Sequence, residues 1–237
     1  MFELIINLRY NIYVIYQIKD NFLRMECFSM AIITKSITDQ IYNIIKEKIL
    51  LQEYPVGAKI DMKEIADEHD ISIMPVRDAL KRLSSQGLVV NRSRVGFFVK
   101  EFSKQEISNI MEVRNMYETY CLDHHFANLD LDAIERLYNK VKEKKDLSRK
   151  EFDEVDSKFH NLIIKASENE FLIDNYNNIE DLIILFRHLD KERIKSANEE
   201  HYKVLKSILD GNRKEAVKQL DDHISNVAYS AVRNIKK

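Results

Sequence analysis

The sequence predicts a mainly α protein in two parts, an N-terminal winged helix-turn-helix of α/β type and a C-terminal all-α antiparallel helical bundle. Three observations carry that reading. The 237 residues include only four Gly and two Pro, too little turn material for the many close turns of an all-β fold. After residue 103 the apolar residues recur at helical spacing almost to the end of the chain. Before it, two short helical stretches meet at a tight turn and lead into a pair of β-type runs.

The elements follow in order. Ser36 to Leu51 reads as a helix, with Ile37, Ile41, Ile44/Ile45 and Ile49 at helical spacing, and Tyr54-Pro55-Val56-Gly57 breaks it. Asp61 is a good N-cap for a short helix through His69, whose stripe is Met62, Ile65 and Ala66. Ile71-Ser72 turns into a second helix. Ser72 is its expected cap, Pro75 falls in its first turn where a missing N–H costs little, and Val76, Leu80 and Leu83 face inward. Gly87 ends it. Leu88 to Asn91 and Gly96 to Lys100 flank the polar turn Arg92-Ser93-Arg94 as a hairpin. Ser103 with Glu106, and Ser148 with Glu151, are capping boxes. Helices are expected at roughly 104–127, 130–146, 149–167, 170–189, 197–209 and 212–235. The domains are therefore 34–102 and 103–237.

Residues 1–33 stand apart as an N-terminal extension. Leu4 to Ile18 is interrupted by Arg9, too short and polar to span a bilayer, and no small-residue cleavage site follows it. Met30-Ala31-Ile32-Ile33-Thr34 reads as an ordinary start, so residues 1–29 are read as an upstream extension, with a short extra helix as the alternative. Cys27 and Cys121 are the only cysteines and form no CxxC pair, which points to a reducing, cytoplasmic setting. No membrane partner is expected.

The formal net charge of −2 does not advertise nucleic-acid binding, but the charge is uneven. Between Ile71 and Lys100 stand Arg77, Lys81, Arg82, Arg92, Arg94 and Lys100 against the single acid Asp78, a patch that attracts phosphates. In a helix-turn-helix the second helix enters the major groove with its N-terminal residues toward the base edges. Here those are Ser72, Ile73, Met74, Arg77 and Lys81. Arg77 is the best base reader, since its fork matches the two acceptors of guanine. Lys81 and Arg82 lie a turn further on and suit phosphate. Arg92 and Arg94 at the hairpin tip suit the backbone or minor groove, and Gly96 permits close approach. Lys63 completes the expected DNA-facing set. A small helical domain with a solvated charged face is the alternative.

The C-terminal half places polar groups where a core is expected. Phe152, Val155, Phe159, Ile163 and Ala166 form one stripe with Asp156 inside it, and His160 is one turn later on nearly the same face. A carboxylate facing a core is costly unless paired or metal-bound. His201 precedes Val204, Leu205 and Ile208, and His223 lies beside Leu220, Ile224 and Val227. Three imidazoles and a carboxylate suit Zn²⁺, Ni²⁺ or another borderline divalent ion. Satisfied core histidines are the alternative. His69, His124, His125 and His188 show no partner pattern, and Tyr117 reads as core packing.

The stretch from Tyr54 to Lys100 closely resembles the DNA-binding domain of the GntR family. The matching elements are Pro55/Gly57, Ile65-Ala66, Ser72 with Pro75-Val76-Arg77, Ala79-Leu80, Leu83, Gly87-Leu88-Val89, and Gly96 with Phe98-Val99. Two positions depart from the pattern. Ile73 stands where the family often has Arg, and Asp78 replaces the usual Glu, so a common guanine contact is lost and Ile73 and Met74 are left to meet thymine methyls. "VRNMYE" at 113–118, "DSKFH" at 156–160 and the stretch 199–224 resemble the FCD ligand-binding domain of the FadR/FCD subfamily. That resemblance implies Asp156, His160, His201 and His223 as metal ligands, Zn²⁺ foremost, and a small organic or sugar acid as effector at an open coordination position. It also implies Arg114 as a carboxylate anchor, for which a surface ion pair with Glu118 is the competing role. Arg187, placed mid-helix, is a weaker anchor.

The expected protein is a homodimeric repressor whose two recognition helices read a pseudo-palindromic double-stranded operator. A purely structural metal is the alternative. An enzyme is disfavoured, because no HExxH is present and Glu200 points to a different helical face from His201.

Overall fold

A computed structural model describes residues 36–143, 147–190 and 192–235. The proposed extension at 1–29 lies outside the described residues. Nine α-helices and a three-stranded sheet are present among the described residues.

The head begins with α1, Ile37–Leu50, which buries Ile41, Tyr42, Ile45 and Ile49, one helical face. β1, Lys59–Ile60, follows, then α2, Met62–Glu68, and α3, Ile73–Ser85. Asp61 caps α2 as expected, accepting from the N–H of Lys63 at 2.8 Å and of Glu64 at 3.3 Å. Ser72 occupies the N-cap position of α3 with extended backbone, but its side chain makes no capping bond. Its hydroxyl is exposed rather than spent on the helix end. Gly87 closes α3 with φ +77°. The N–H of Leu88 reaches the Leu83 carbonyl and that of Gly87 the Ser84 carbonyl, each at 3.1 Å, a Schellman closure that favours glycine at this position.

β2, Val89–Arg92, and β3, Gly96–Val99, form the expected hairpin, paired antiparallel with Val90 opposite Phe98. The sheet order is β1-β3-β2, so β1 is a third strand that the sequence reading did not contain. Two residues are too few to show an alternating pattern. Their partner is supplied by β3, with Lys59 opposite Phe98.

The bundle comprises α4, Lys104–His124; α5, Leu131–Glu143; α6, Arg149–Lys165; α7, Glu170–Arg187; α8, Ile194–Leu209; and α9, Arg213–Asn234. Both capping boxes form, Ser103 with Glu106 and Ser148 with Glu151. α4 stops three residues earlier than expected and a 3₁₀ turn, Phe126–Asn128, follows. α8 begins three residues earlier than expected. α7 ends at Arg187, which is its last residue and not mid-helix. α9 packs against α4 and α8, α5 against α8, and α4 against α6 and α7. Asp156, His160, His201 and His223 thereby converge in the bundle interior.

Candidate metal centre and nucleic-acid interface

Asp156 and His160 stand one turn apart on α6, His201 comes from α8 and His223 from α9. All four are buried, none more than 4% exposed. One ligand atom from each lies within 4.8 Å of the others. His201 Nε2 is 3.3 Å from His223 Nε2 and 3.4 Å from Asp156 Oδ1, and His160 Nε2 is 3.8 Å from Asp156 Oδ1. Ligand atoms held about 2.0–2.1 Å from a tetrahedral ion are roughly 3.3–3.4 Å apart, so two of these separations already match and the third is slightly long.

The hydrogen bonds behind the cluster fix which nitrogens face it. His223 Nδ1 donates to Glu200 Oε2 at 2.7 Å and His160 Nδ1 to Glu118 Oε2 at 2.5 Å. A carboxylate accepts, so the proton sits on Nδ1 of each ring; the bare Nε2 of His223 then faces His201, and that of His160 accepts from Arg114 Nη2 at 2.8 Å. Burial first, with Glu200 opposing, lowers the His223 pKa to about 4. Burial and the neighbouring His223 hold His201 well below its ordinary value. Burial alone would raise the Asp156 carboxyl, but Arg187 foremost, then His160 and His201, hold it well below the carboxylate range. His201 and His223 are thus held neutral beside an ionised Asp156, the protonation states a divalent ion requires.

His201 supplies the fit test. Its Nδ1 is buried with no partner, and its Nε2 faces the Nε2 of His223. Whichever tautomer His201 adopts, one of its nitrogens is left without a proper partner, at a cost of about 1–3 kcal/mol. With the hydrogen on Nδ1 the two Nε2 lone pairs face each other, and a cation between them accepts both, while Nδ1 stays unpartnered.

Arg114 and Arg187 border this centre. Arg114 is 1% exposed, so the surface ion pair weighed from sequence is instead a fully buried one. Arg114 Nε donates to Glu118 Oε1 at 2.6 Å while Nη2 lies 2.8 Å from His160 Nε2. The pairing role and the approach to the centre therefore coexist in one side chain. Tyr176 donates to the same Glu118 Oε1 at 2.7 Å. Burial would raise the Glu118 carboxyl, but Arg114 and then His160 bring it to about 2. Arg187 is bonded to Asp156 and lies 3.0 Å from Asp153.

Glu200 has partners that the sequence reading did not assign. It leaves α8 on a different face from His201, as expected, yet that face meets α9, and its carboxylate receives His223 Nδ1 and Arg193 Nη2. His188, to which the sequence assigned nothing, is buried between the Leu50 carbonyl and Asp153. Both contacts are far apart in sequence, and no spacing rule could have shown them.

The head presents the expected basic face. Ser72, Arg77 and Lys81 on α3, Lys63 on α2, and Arg92 and Arg94 on the hairpin are exposed. Ile73 and Met74, 42% and 61% exposed, are apolar side chains turned to solvent at the start of α3. Neither Arg77 nor Arg94 has a carboxylate within 4 Å among the described residues, whereas Arg82 is held by Asp39 at 2.9 Å and stacks on Tyr42. Lys81 pairs with Asp78 at 3.2 Å, and Arg92 lies over Phe98 with Glu101 at 3.4 Å. Gly96 is half-buried with φ +128°, and an added Cβ there would touch the Lys59 side chain at 3.4 Å. The backbone conformation at this position is one that L side chains rarely adopt.

Residues 37–99 match the family model "Bacterial regulatory proteins, gntR family" and residues 109–226 match the FCD domain. The chain belongs to the GntR family. Among relatives of this GntR protein, the gluconate operon transcriptional repressor of Bacillus subtilis (strain 168) is 28% identical over 63% of each chain. The Nta operon transcriptional regulator of Aminobacter aminovorans is 22% identical over 71% of this chain and 81% of its own. A solved GntR structure from Rhodococcus sp. RHA1 covers 84% of this chain and 99% of its own, at TM-score 0.70 and 17% identity, and shows the shared two-part fold. The Zn²⁺-bound FCD domain of TM0439 is 30% identical over 56% of this chain and 96% of its own, with TM-score 0.53. The protein is a transcriptional regulator and not an enzyme. No described helix is long and apolar enough to cross a membrane.

Proposed function

We propose that this regulator is a repressor that holds a divalent metal, Zn²⁺ foremost, on Asp156, His160, His201 and His223, and that a small carboxylate ligand at that centre controls its grip on operator DNA. The observation that carries the reading is the convergence of the four buried ligand atoms, with the Nε2 atoms of His201 and His223 facing each other at 3.3 Å. The Zn²⁺-bound state of the similar TM0439 domain supports it. The metal would supply a positive charge and an open position for a carboxylate oxygen. Glu118 and Glu200 orient His160 and His223 toward it. Arg114, clamped by Glu118, and Arg187, beside Asp156, are the cationic anchors for the carboxylate.

Titration of the metal-stripped protein with Zn²⁺ against a chromophoric chelator tests the centre. One ion per chain is expected, with His201→Ala weakening binding by more than the roughly 10- to 100-fold typical of losing an outer partner. Equal affinity for the two proteins would sink the assignment. A structural metal is favoured by one observation: the cavity bordering Asp156 has a volume of about 20 Å³, room for about one water. Chelation that unfolds the bundle, instead of leaving a folded protein that no longer responds to organic or sugar acids, would support that role.

Two copies are proposed to bind one pseudo-palindromic site. An exposed apolar stripe on α4, Val113, Met116 and Tyr120, is the face we assign to the partner copy. A duplex selected from a random library should bind two chains. Arg77→Ala should cost about 1–3 kcal/mol of specific affinity, because Arg77 is exposed and no carboxylate among the described residues lies within 4 Å to hold it back. A stoichiometry of one, or unchanged affinity, would refute the respective claim.

A further inference from the structure

α1 of the head ends at Leu50, and the carbonyl of a last helical residue has no partner in its own helix. The Tyr54 N–H, which would continue the helix, turns to the Lys48 carbonyl at 3.0 Å. The Leu50 carbonyl is instead reached from the bundle, by His188 Nδ1 at 2.6 Å. A carbonyl only accepts, so Nδ1 carries the hydrogen and donates. The other nitrogen of this buried ring, Nε2, is 2.9 Å from Asp153 Oδ1, which also only accepts, so in this arrangement both ring nitrogens carry a hydrogen and donate. That same oxygen takes Arg187 Nη2 at 3.0 Å, and Arg187 Nη1 is bonded to Asp156 Oδ2. The remaining oxygen of Asp156 faces His201.

An unbroken series of polar contacts therefore runs from the candidate centre to the end of the head's first helix. Its members Asp153, Asp156, Arg187 and His188 all line the 20 Å³ cavity. Arg187 keeps its Nε buried there without a partner. In so small a space, any group that engages Asp156 or Arg187 from the cavity must rearrange the pair. Other contacts join head and bundle, Lys46 to Asp181 at 2.7 Å and the Phe102 ring against Phe186, but neither of them touches Asp156 or Arg187 among the described residues.

We propose that Arg187, Asp153 and His188 form a relay through which the state of the centre sets how firmly α1 of the DNA-binding head is held. The proposal rests on the metal-centre reading only for the source of the signal. Arg187 is a positioning residue, acting on the head through Asp153 and His188 without touching it.

Hydrogen exchange of the full-length protein, followed by mass spectrometry in residues 46–54, tests the relay. Arg187→Ala is expected to speed exchange there about five- to ten-fold, the scale of one lost hydrogen bond, while residues 76–83 in the head core stay unchanged. Arg187→Lys keeps the charge but can hold only one of the two carboxylates, and it gives the same comparison if the alanine variant fails to fold. His188→Asn retains an amide N–H for the Leu50 carbonyl but is too short to reach Asp153. In that background residues 46–54 should stay protected and the Arg187 substitution should have no further effect, the non-additivity that coupling demands. Additive effects, no acceleration by Arg187→Ala, or equal acceleration in residues 76–83 would overturn the relay. Zn²⁺ added to the stripped protein should alter exchange at 46–54 in wild type and not in His188→Asn; the same change in both would also overturn it. If Zn²⁺ leaves residues 156–160 of the wild type unchanged, the metal reading fails, and the Arg187 comparison still decides the relay.

Discussion

Replacing Glu118 with alanine is expected to destabilise the protein by about 3–5 kcal/mol, a fall in Tm of roughly 6–20 °C for a chain of this size. Glu118 is fully buried and accepts from Arg114, Tyr176 and His160 at 2.6, 2.7 and 2.5 Å. The pair with Arg114 cost desolvation when it formed, and its net contribution relative to an apolar pair is small. Breaking it is a different matter. Arg114 keeps its charge, is 1% exposed, and is left without its principal counter-ion. Tyr176 and His160 lose their acceptor in the same step. Glu118→Gln should cost less, since an amide oxygen still accepts. An exposed pair sets the contrast: Asp78→Ala, which frees Lys81 on the surface of α3, should change stability by less than about 1 kcal/mol. Urea denaturation followed by circular dichroism reads all three. A Glu118→Ala protein within 1 kcal/mol of wild type would show that Arg114 finds water or another partner and that the network does not hold the bundle together.

The sequence made the centre legible because its ligands sit at positions that periodicity alone marks as inward. Asp156 and His160 interrupt the stripe of α6 one turn apart, and His201 and His223 each stand beside their own helix's apolar face. Periodicity fails where a side chain crosses between elements. Glu200 lies off the face that carries His201, but α9 packs against α8, so the carboxylate meets His223 across the interface. Glu118 was visible as the i+4 partner of Arg114, yet the same spacing serves an exposed pair and a buried one. The difference lies in α6 and α7 closing over α4, which spacing within α4 does not encode. His188 is the extreme case, since its contact with Leu50 is set by how head and bundle meet and its contact with Asp153 by how α7 meets α6. In the head, the short strand β1 was missed because a two-residue strand gains its identity only from its partner β3. The cap at Ser72 was expected on residue type, but the hydroxyl is left exposed on the face that carries Ile73, Met74 and Arg77.

Stripped of metal, the protein is expected to lose stability in acid in two separable phases, the first beginning near pH 6.5. An unfolded chain takes up a proton on each imidazole as the pH falls through about 6.5. In the fold, His223 stays neutral down to about 4, and His201 is likewise held well below its ordinary value, first because burial penalises their charge. Between those limits the unfolded state binds more protons, so unfolding becomes easier as the pH drops. For His223 alone the full window amounts to roughly 3 kcal/mol, and His201 adds in the same direction. Glu118 acts later. Its carboxyl is held at about 2 against an ordinary value near 4.5, so its contribution is intact above pH 4.5 and is lost only as the pH falls from there. Denaturation midpoints in the presence of a chelator at pH 7.5, 6.5, 5.5, 4.5, 3.5 and 2.5 separate the phases. His223→Asn should flatten the first and leave the second. Protons and a divalent ion compete for the same lone pairs, so saturating Zn²⁺ should raise the midpoints at pH 7.5 and lose that effect through the first phase. A midpoint that stays level from pH 7.5 to 5.5 in the chelated protein would mean that the histidines open to solvent and take their protons without unfolding, and the buried centre would then be too loosely held to select a metal.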